Sequence, residues 1–156
     1  MNHIKQIKNL IKKSLFCSIS TITKDGHPHS SPIGSVFLID ENRGYFIEMF
    51  TKSCSHRHPI QNKACIMVIN TSPWFWLKSL FLGKFTTIPG VRLLVDLKEK
   101  RAGTDQEKQR FLKKVKIFSL LKGHKILWSS MGPIREFTVD KIIPLNMGKM
   151  TNHFNF

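Results

Sequence analysis

The sequence predicts a β-rich α+β fold, a small antiparallel barrel of five or six strands with peripheral helices. Three observations lead there. Short runs rich in β-branched and aromatic residues alternate apolar with polar positions, turn-forming clusters separate them closely, and helix-period patterns are confined to the amino-terminal stretch and the region after residue 100. Closing such strands into a barrel leaves no free sheet edge to protect. At 156 residues, the chain is expected to be a single domain, 1–156, long enough to bury a core and too short to need two.

Ile4, Ile7, Leu10, Ile11 and Leu15 recur at helical spacing, so residues 3–15 read as an amphipathic helix lying on something apolar. Core strands are expected across 15–72. "LFCSISTIT" (15–23) alternates, "KDG" (24–26) signals a tight turn, "SVFLI" (35–39) resumes a strand, "DENRG" (40–44) turns again and "YFIEMF" (45–50) follows. That order predicts a three-stranded meander, with the polar "GHPHSSPIG" (26–34) as turn material in front of its second strand. "ACIMVIN" (64–70) is apolar at both alternations and reads as a strand covered on both sides.

Further on, 84–97 reads as a strand broken at Pro89 and Gly90. Helices are expected over 104–123. Thr104 and Glu107 make a capping box that starts a helix with Phe111, Leu112 and Val115 on its apolar face, and Gly123 suits the end of a second helical piece. "IREFTVDKIIPL" (134–145) supplies a last strand.

No run reaches the roughly 18 apolar residues of a membrane span, since Lys78 and Lys84 interrupt the most apolar stretch, 74–85. The amino terminus lacks the uninterrupted hydrophobic segment of a signal peptide, so a cytoplasmic location is the expectation. Cys17, Cys54 and Cys65 have neither zinc nor redox spacing and suit a reducing compartment. A net charge of +15 would support contact with nucleic acid, an anionic membrane or a phosphorylated ligand. Its lysines, however, cluster on two predicted helices, as they would on solvated faces.

Chemistry concentrates in two polar stretches, 26–35 and 51–63. The second, "TKSCSHRHPIQNK", offers hydroxyls on Thr51, Ser53 and Ser55, cations on Lys52 and Arg57, and imidazoles on His56 and His58. Fixed positive charge with short hydroxyl donors is what a phosphate needs, and a solvated loop in a basic protein is the competing reading.

The order "G-x-P-x-x-S-P-I-G", an aromatic strand "YFIEMF", the loop "T-K-S-x-S-x-R" and then "N-K-A-C-I-M-V-I-N" resembles the FMN-binding split barrel of the pyridoxamine 5′-phosphate oxidase-like family. The match covers 15–70 well and is weaker beyond 84. The resemblance implies a six-stranded split barrel and a homodimer binding FMN at the subunit interface. It implies that Lys52, Ser53, Ser55 and Arg57, with His29 or Ser31 from the neighbouring strand, hold the phosphate. Backbone groups of Pro32, Ile33, Gly34 and Ser35 would face the isoalloxazine edge. The resemblance leaves open whether Ser53 or Ser55 is the phosphate serine. His29 and Gly34 stand where true oxidases of the family carry an arginine and a lysine, and "MTNHFNF" lacks their carboxy-terminal arginine motif. An FMN-dependent oxidoreductase on some other small substrate is therefore expected rather than pyridoxamine phosphate oxidation.

Other readings of the same residues stay open. His27, His29, His56 and His58 invite a metal or haem, and relatives of this barrel include haem-degrading proteins; yet such a site usually recruits a carboxylate, and acids are scarce here, with Asp25 and Glu48 the only candidates nearby. A deazaflavin could replace FMN. Cys54, among Lys52, His56 and Arg57, would be an activated thiol if exposed. The aromatic, basic segment 74–85 suits a flavin lid or a dimer contact first, then a membrane surface or nucleic acid. A non-redox basic module that binds nucleic acid or anionic membrane is the rival class.

Overall fold

In the computed structural model, residues 3–14, 16–48, 62–116, 119–120, 122–128 and 132–154 are described. Their order is α1 (His3–Lys13), β1 (Cys17–Ile22), β2 (Pro28–Ile33), β3 (Phe37–Leu38), β4 (Arg43–Ile47), β5 (Lys63–Ile69), α2 (Pro73–Leu82), β6 (Gly90–Arg101), α3 (Asp105–Val115), α4 (Lys122–Trp128) and β7 (Ile134–Pro144), followed by a 3₁₀ turn at Gly148–Met150. The seven strands form one antiparallel sheet in the order β2-β1-β5-β6-β7-β4-β3. No helix among the described residues is long and apolar enough to cross a membrane.

Seven strands replace the expected six because "GHPHSSPIG" is itself largely strand. The turn at 24–26, with Gly26 at φ 81°, folds β1 back onto β2 rather than onto 35–39, pairing Cys17 with Ile33 and Ile22 with Pro28. The expected meander therefore does not form: β1 lies between β2 and β5, while the β3–β4 hairpin joins β7. Prolines are compatible with a strand at 28–33 because an edge strand leaves one side of its ladder without a partner. Pro28 and Pro32 sit on such an edge, for β2 pairs with β1 alone among the described strands.

The end strands β2 and β3 belong to one run of chain, separated by residues 34–36. Four residues from Ile33 to Phe37 span at most about 14 Å. First and seventh strands of a flat sheet would stand about 29 Å apart, six spacings of roughly 4.8 Å. The sheet must therefore curl until its ends meet. Its interior holds Cys17, Ile19, Ile33, Phe46, Ile66, Val68, Val91, Leu93, Val95, Leu97 and Phe137, and Ile7, Leu10 and Ile11 of α1 join that core.

Strand β5 has Ala64, Ile66 and Val68 buried, but Cys65, Met67 and Ile69 only half-buried, so one face rather than both is fully covered. β6 begins at Gly90, leaving 84–89 outside the expected strand. Thr104 and Glu107 do form the capping box, yet α3 buries Phe111 and Val115 and leaves Leu112 exposed. Gly123 lies near the start of α4 rather than closing a helix. β7 matches its predicted span within one residue.

Candidate functional site

Strand pairing decides where the side chains of 28–36 point. His29 lies opposite Thr21 and Ser31 opposite Ile19, so both share the face of buried Ile33, while Pro28, Ser30 and Pro32 take the other. His29 is exposed and Ser31 half-buried, and the Ser31 hydroxyl stands 3.4 Å from His29 Nε2. Opposite His29 in the next strand, Thr21 is buried with its hydroxyl lacking any hydrogen-bond partner among the described residues. Threonine in an alternating strand gave no hint of this. Only the register sets an orphaned hydroxyl beside two sequence-predicted donors.

On the other face Ser30 and Ser20 hydroxyls lie 2.6 Å apart. Here the chain leaves an open cleft of about 450 Å³, whose lining includes Ser18, Ser30, Ser31, Pro32, Met67 and Ile69. Phe16, 64% exposed, flanks it. The cleft thus joins a polar edge strand to an apolar sheet surface.

The remaining predicted backbone residues occupy the crossing from β2 to β3. Gly34 offers its carbonyl to Lys114 Nζ at 3.0 Å. Ser35 is fully buried, and its hydroxyl donates to the Ile47 carbonyl at 3.0 Å while accepting from the Ile47 amide at 2.9 Å. Ser35 therefore uses its side chain to hold the crossing against β4. Lys52, Ser53, Ser55 and Arg57, with Cys54, His56 and His58, lie outside the described residues. Glu48 is buried at the end of β4, 3.2 Å from both Arg135 and Lys100. Among the described residues no group of three or more His, Cys, Asp or Glu could hold a metal ion.

Burial pushes the Cys17 thiol up to about 11, with Lys114 opposing the shift. Lys114 itself is pushed down by burial. The lysines of this helix are expected on a solvated face, but α3 turns Lys114 toward the 34–36 crossing.

The segment 74–85 contains a helix. Ser72 caps α2 by accepting from the Phe75 amide, and Gly83 ends it at φ 64°, which glycine adopts without strain. Phe75 stacks on Phe85, Trp76 meets Phe85 edge-on, and Trp76 Nε1 donates to the Asn70 carbonyl at 2.6 Å. The other side of α2 is apolar but open to solvent: Trp74 is 77% and Phe81 90% exposed.

No family model matches the sequence, and no curated protein matches it. Solved structures do. An FMN-binding protein from Syntrophomonas wolfei superposes with a TM-score of 0.64 at 14% identity, covering 93% of this chain and 87% of that one. HupZ of Group A Streptococcus gives 0.59 at 16%, covering 92% and 94%. A candidate pyridoxamine 5′-phosphate oxidase from Lactobacillus delbrueckii gives 0.53 at 16%, covering 89% and 91%. The fold is that of the pyridoxamine 5′-phosphate oxidase-like FMN-binding split barrels; at these identities the likeness is one of fold.

Proposed function

We propose that this chain is an FMN-binding split-barrel flavoprotein, acting as an oxidoreductase on a small substrate and working as a homodimer with the flavin at the subunit interface. The observation that carries the reading is the placement of β2. The stretch singled out by sequence lies on a sheet edge, with His29 and Ser31 on one face beside the Thr21 hydroxyl, which has no partner among the described residues, and with Ser31 and Pro32 lining the 450 Å³ cleft. A ligand carrying a phosphate and ribityl hydroxyls fits that donor set. Fold likeness to an FMN-binding protein supports the choice of cofactor.

In this reading His29 and Ser31 bind the phosphate from the strand side, with Lys52, Ser53, Ser55 and Arg57 completing its charge. Short hydroxyls bind at low entropic cost, while a guanidinium offers two parallel donors. Backbone groups of Pro32–Ser35 run along the ring edge. Ser35 keeps that backbone in place through Ile47, and apolar Phe16, Met67 and Ile69 exclude water from the cleft when a second subunit covers it. The bound flavin supplies hydride or electron transfer, which is why the chain need carry no acid–base dyad of its own.

The test is reconstitution. Purified protein should carry the visible absorbance of flavin or quench the fluorescence of added FMN, and Ser53→Ala with Arg57→Ala should weaken FMN far more than riboflavin, which lacks the phosphate. Absence of both optical signals overturns the flavoprotein reading; equal losses for the two ligands overturn the loop assignment. The rival reading, a non-redox module for nucleic acid or anionic membrane, draws on the exposed Trp74 and Phe81 beside Lys78. It gains if the protein stays colourless and binds those polyanions.

A further inference from the structure

Helix α2 reads PWFWLKSLFL, apolar almost all round, and a helix of that composition is expected to be covered on every side. The protein covers only one. Phe75 and Trp76 pack on Phe85, and Ser79, buried with its hydroxyl donating to the Phe75 carbonyl at 2.7 Å, lies on the same side of the helix. The opposite side carries Trp74, Leu77 and Phe81 at helical spacing, with Leu80 and Leu82 on its flanks. All five are exposed, Leu77 at 58%, Leu80 at 67% and Phe81 at 90%. Trp74 and Phe81 stand about 10 Å apart along the axis, so the apolar strip runs the length of the helix.

The surroundings of this strip carry charge of one sign. No Asp or Glu occurs between Glu48 and Asp96, and none follows Asp140. Lys78 lies one turn from Trp74 on the open side, and Lys84 follows the Gly83 cap. The 3₁₀ turn at Gly148–Met150 adds exposed Lys149; its Met150 carbonyl accepts from the Phe85 amide at 3.1 Å, and His153 Nε2 lies 2.8 Å from the Phe85 carbonyl, which fixes that segment beside the end of α2. None of the three lysines has a carboxylate partner among the described residues. A lysine bordering an apolar strip lays its methylenes along it and holds the ammonium out toward water or an anion.

We propose that α2 docks the protein on the surface of an anionic phospholipid bilayer. The helix axis lies in the plane of the interface, with Trp74, Leu77, Leu80 and Phe81 at the boundary of acyl chains and headgroups and with Lys78, Lys84 and Lys149 among the anionic headgroups. Hydrocarbon accepts leucine and aromatic side chains alike. A nucleic acid would stack on Trp74 and Phe81 and leave Leu77, Leu80 and Leu82 uncovered. A second copy packed α2 against α2 would set lysine against lysine, with no acid in this stretch to neutralise them. Docking of this kind is reversible, because so short a strip buries far less apolar surface than a spanning helix. It goes beyond the flavin reading and does not depend on it.

The experiment is co-sedimentation of the full chain with vesicles of equimolar phosphatidylcholine and phosphatidylglycerol, or of phosphatidylcholine alone, read together with tryptophan emission. Binding to the anionic vesicles is expected to be tighter by about tenfold or more, since each lysine near an anionic surface contributes roughly fivefold. Leu77→Gln with Phe81→Gln alters two exposed side chains and should weaken that binding by about tenfold or more with the melting temperature in place. Lys78→Gln with Lys84→Gln should remove most of the preference for anionic vesicles. Trp74→Phe should still bind but lose the blue shift of emission that docking produces. Absence of binding to anionic vesicles, equal binding to both vesicle types, unchanged binding in the Leu77 and Phe81 variant, or a blue shift that survives Trp74→Phe would each overturn the proposal. A lower native mass of the Leu77 and Phe81 variant without lipid would also overturn it and assign the face to a second copy. Loss of single-stranded RNA binding in that variant, with vesicle binding intact, would assign the face to nucleic acid. Visible absorbance of the same samples reads flavin separately, so a colourless protein that docks on vesicles overturns the flavin reading and leaves this one standing.

Discussion

Ser35 and Ile47 are joined by two hydrogen bonds through a single hydroxyl, which donates to the Ile47 carbonyl at 3.0 Å and accepts from its amide at 2.9 Å. The side chain stands in for a missing ladder pair where the chain crosses from one end of the sheet to the other. Ser35→Ala would strand a buried donor and acceptor together, and a loss of about 2–3 kcal/mol in urea unfolding is expected. A variant as stable as the parent would show that the crossing is held by packing instead.

Glu48 and Arg135 are almost fully buried and 3.2 Å apart, and Arg135 also donates to the Lys98 carbonyl at 2.9 Å. Removing one charge leaves the other without its partner inside the protein. Glu48→Ala should therefore cost about 3–5 kcal/mol, and a Glu48→Met, Arg135→Met pair much less, since the desolvation of both ions disappears with them. Denaturant titration of the two variants decides between these outcomes.

Gly44 passes so close to β3 and β7 that a Cβ there would lie 2.6 Å from the Phe37 carbonyl and collide with the Phe137 ring. Phe137 is 1% exposed and packed, so it has nowhere to retreat. Gly44→Ala is expected to destabilise by about 2–3 kcal/mol through overpacking. Thermal unfolding should show it, whereas Gly123→Ala, in open space within α4, should not lower the transition.

Arg101 holds the Glu107 carboxyl down to about 2, with the Thr104 cap adding to the effect. A carboxyl whose folded value lies below its unfolded value, roughly 4.3, stabilises the fold above that value and loses the contribution as pH falls toward 2. The stability gap between the parent and Glu107→Gln should accordingly close between about pH 5 and pH 2. A gap that stays constant across this window would mean that the cap acts without the charge.

Cys17 combines burial with a thiol raised to about 11. Alkylation of native protein near pH 8 should therefore be slower at Cys17 than at an ordinary thiol by on the order of a hundredfold, the ratio of their thiolate fractions. Peptide mass mapping before and after denaturation reads this directly. Rapid native labelling would require the thiol to be accessible.

Local chemistry determined much of this protein from sequence alone. The amphipathic helix at the amino terminus, the Thr104–Glu107 capping box, the turn at 24–26 and the span of β7 all depend on neighbours within one turn or one alternation of the chain. The order of polar and aromatic segments was enough to identify the split-barrel resemblance that the fold comparison supports.

Pairing between distant segments was decided only in three dimensions. Whether 15–23 joins 35–39 or 28–33 turns on which edge can accept two prolines, and that is a property of the sheet rather than of either segment. The same holds for the candidate sites. A lysine on a helix face looks solvated until α3 packs beside the crossing and brings Lys114 within reach of the Gly34 carbonyl, and a threonine looks ordinary until the register buries Thr21 beside Ser31 and His29. Burial and charge convergence are sums over contacts far apart in sequence, so they become visible only when the sheet has curled and brought its two ends together.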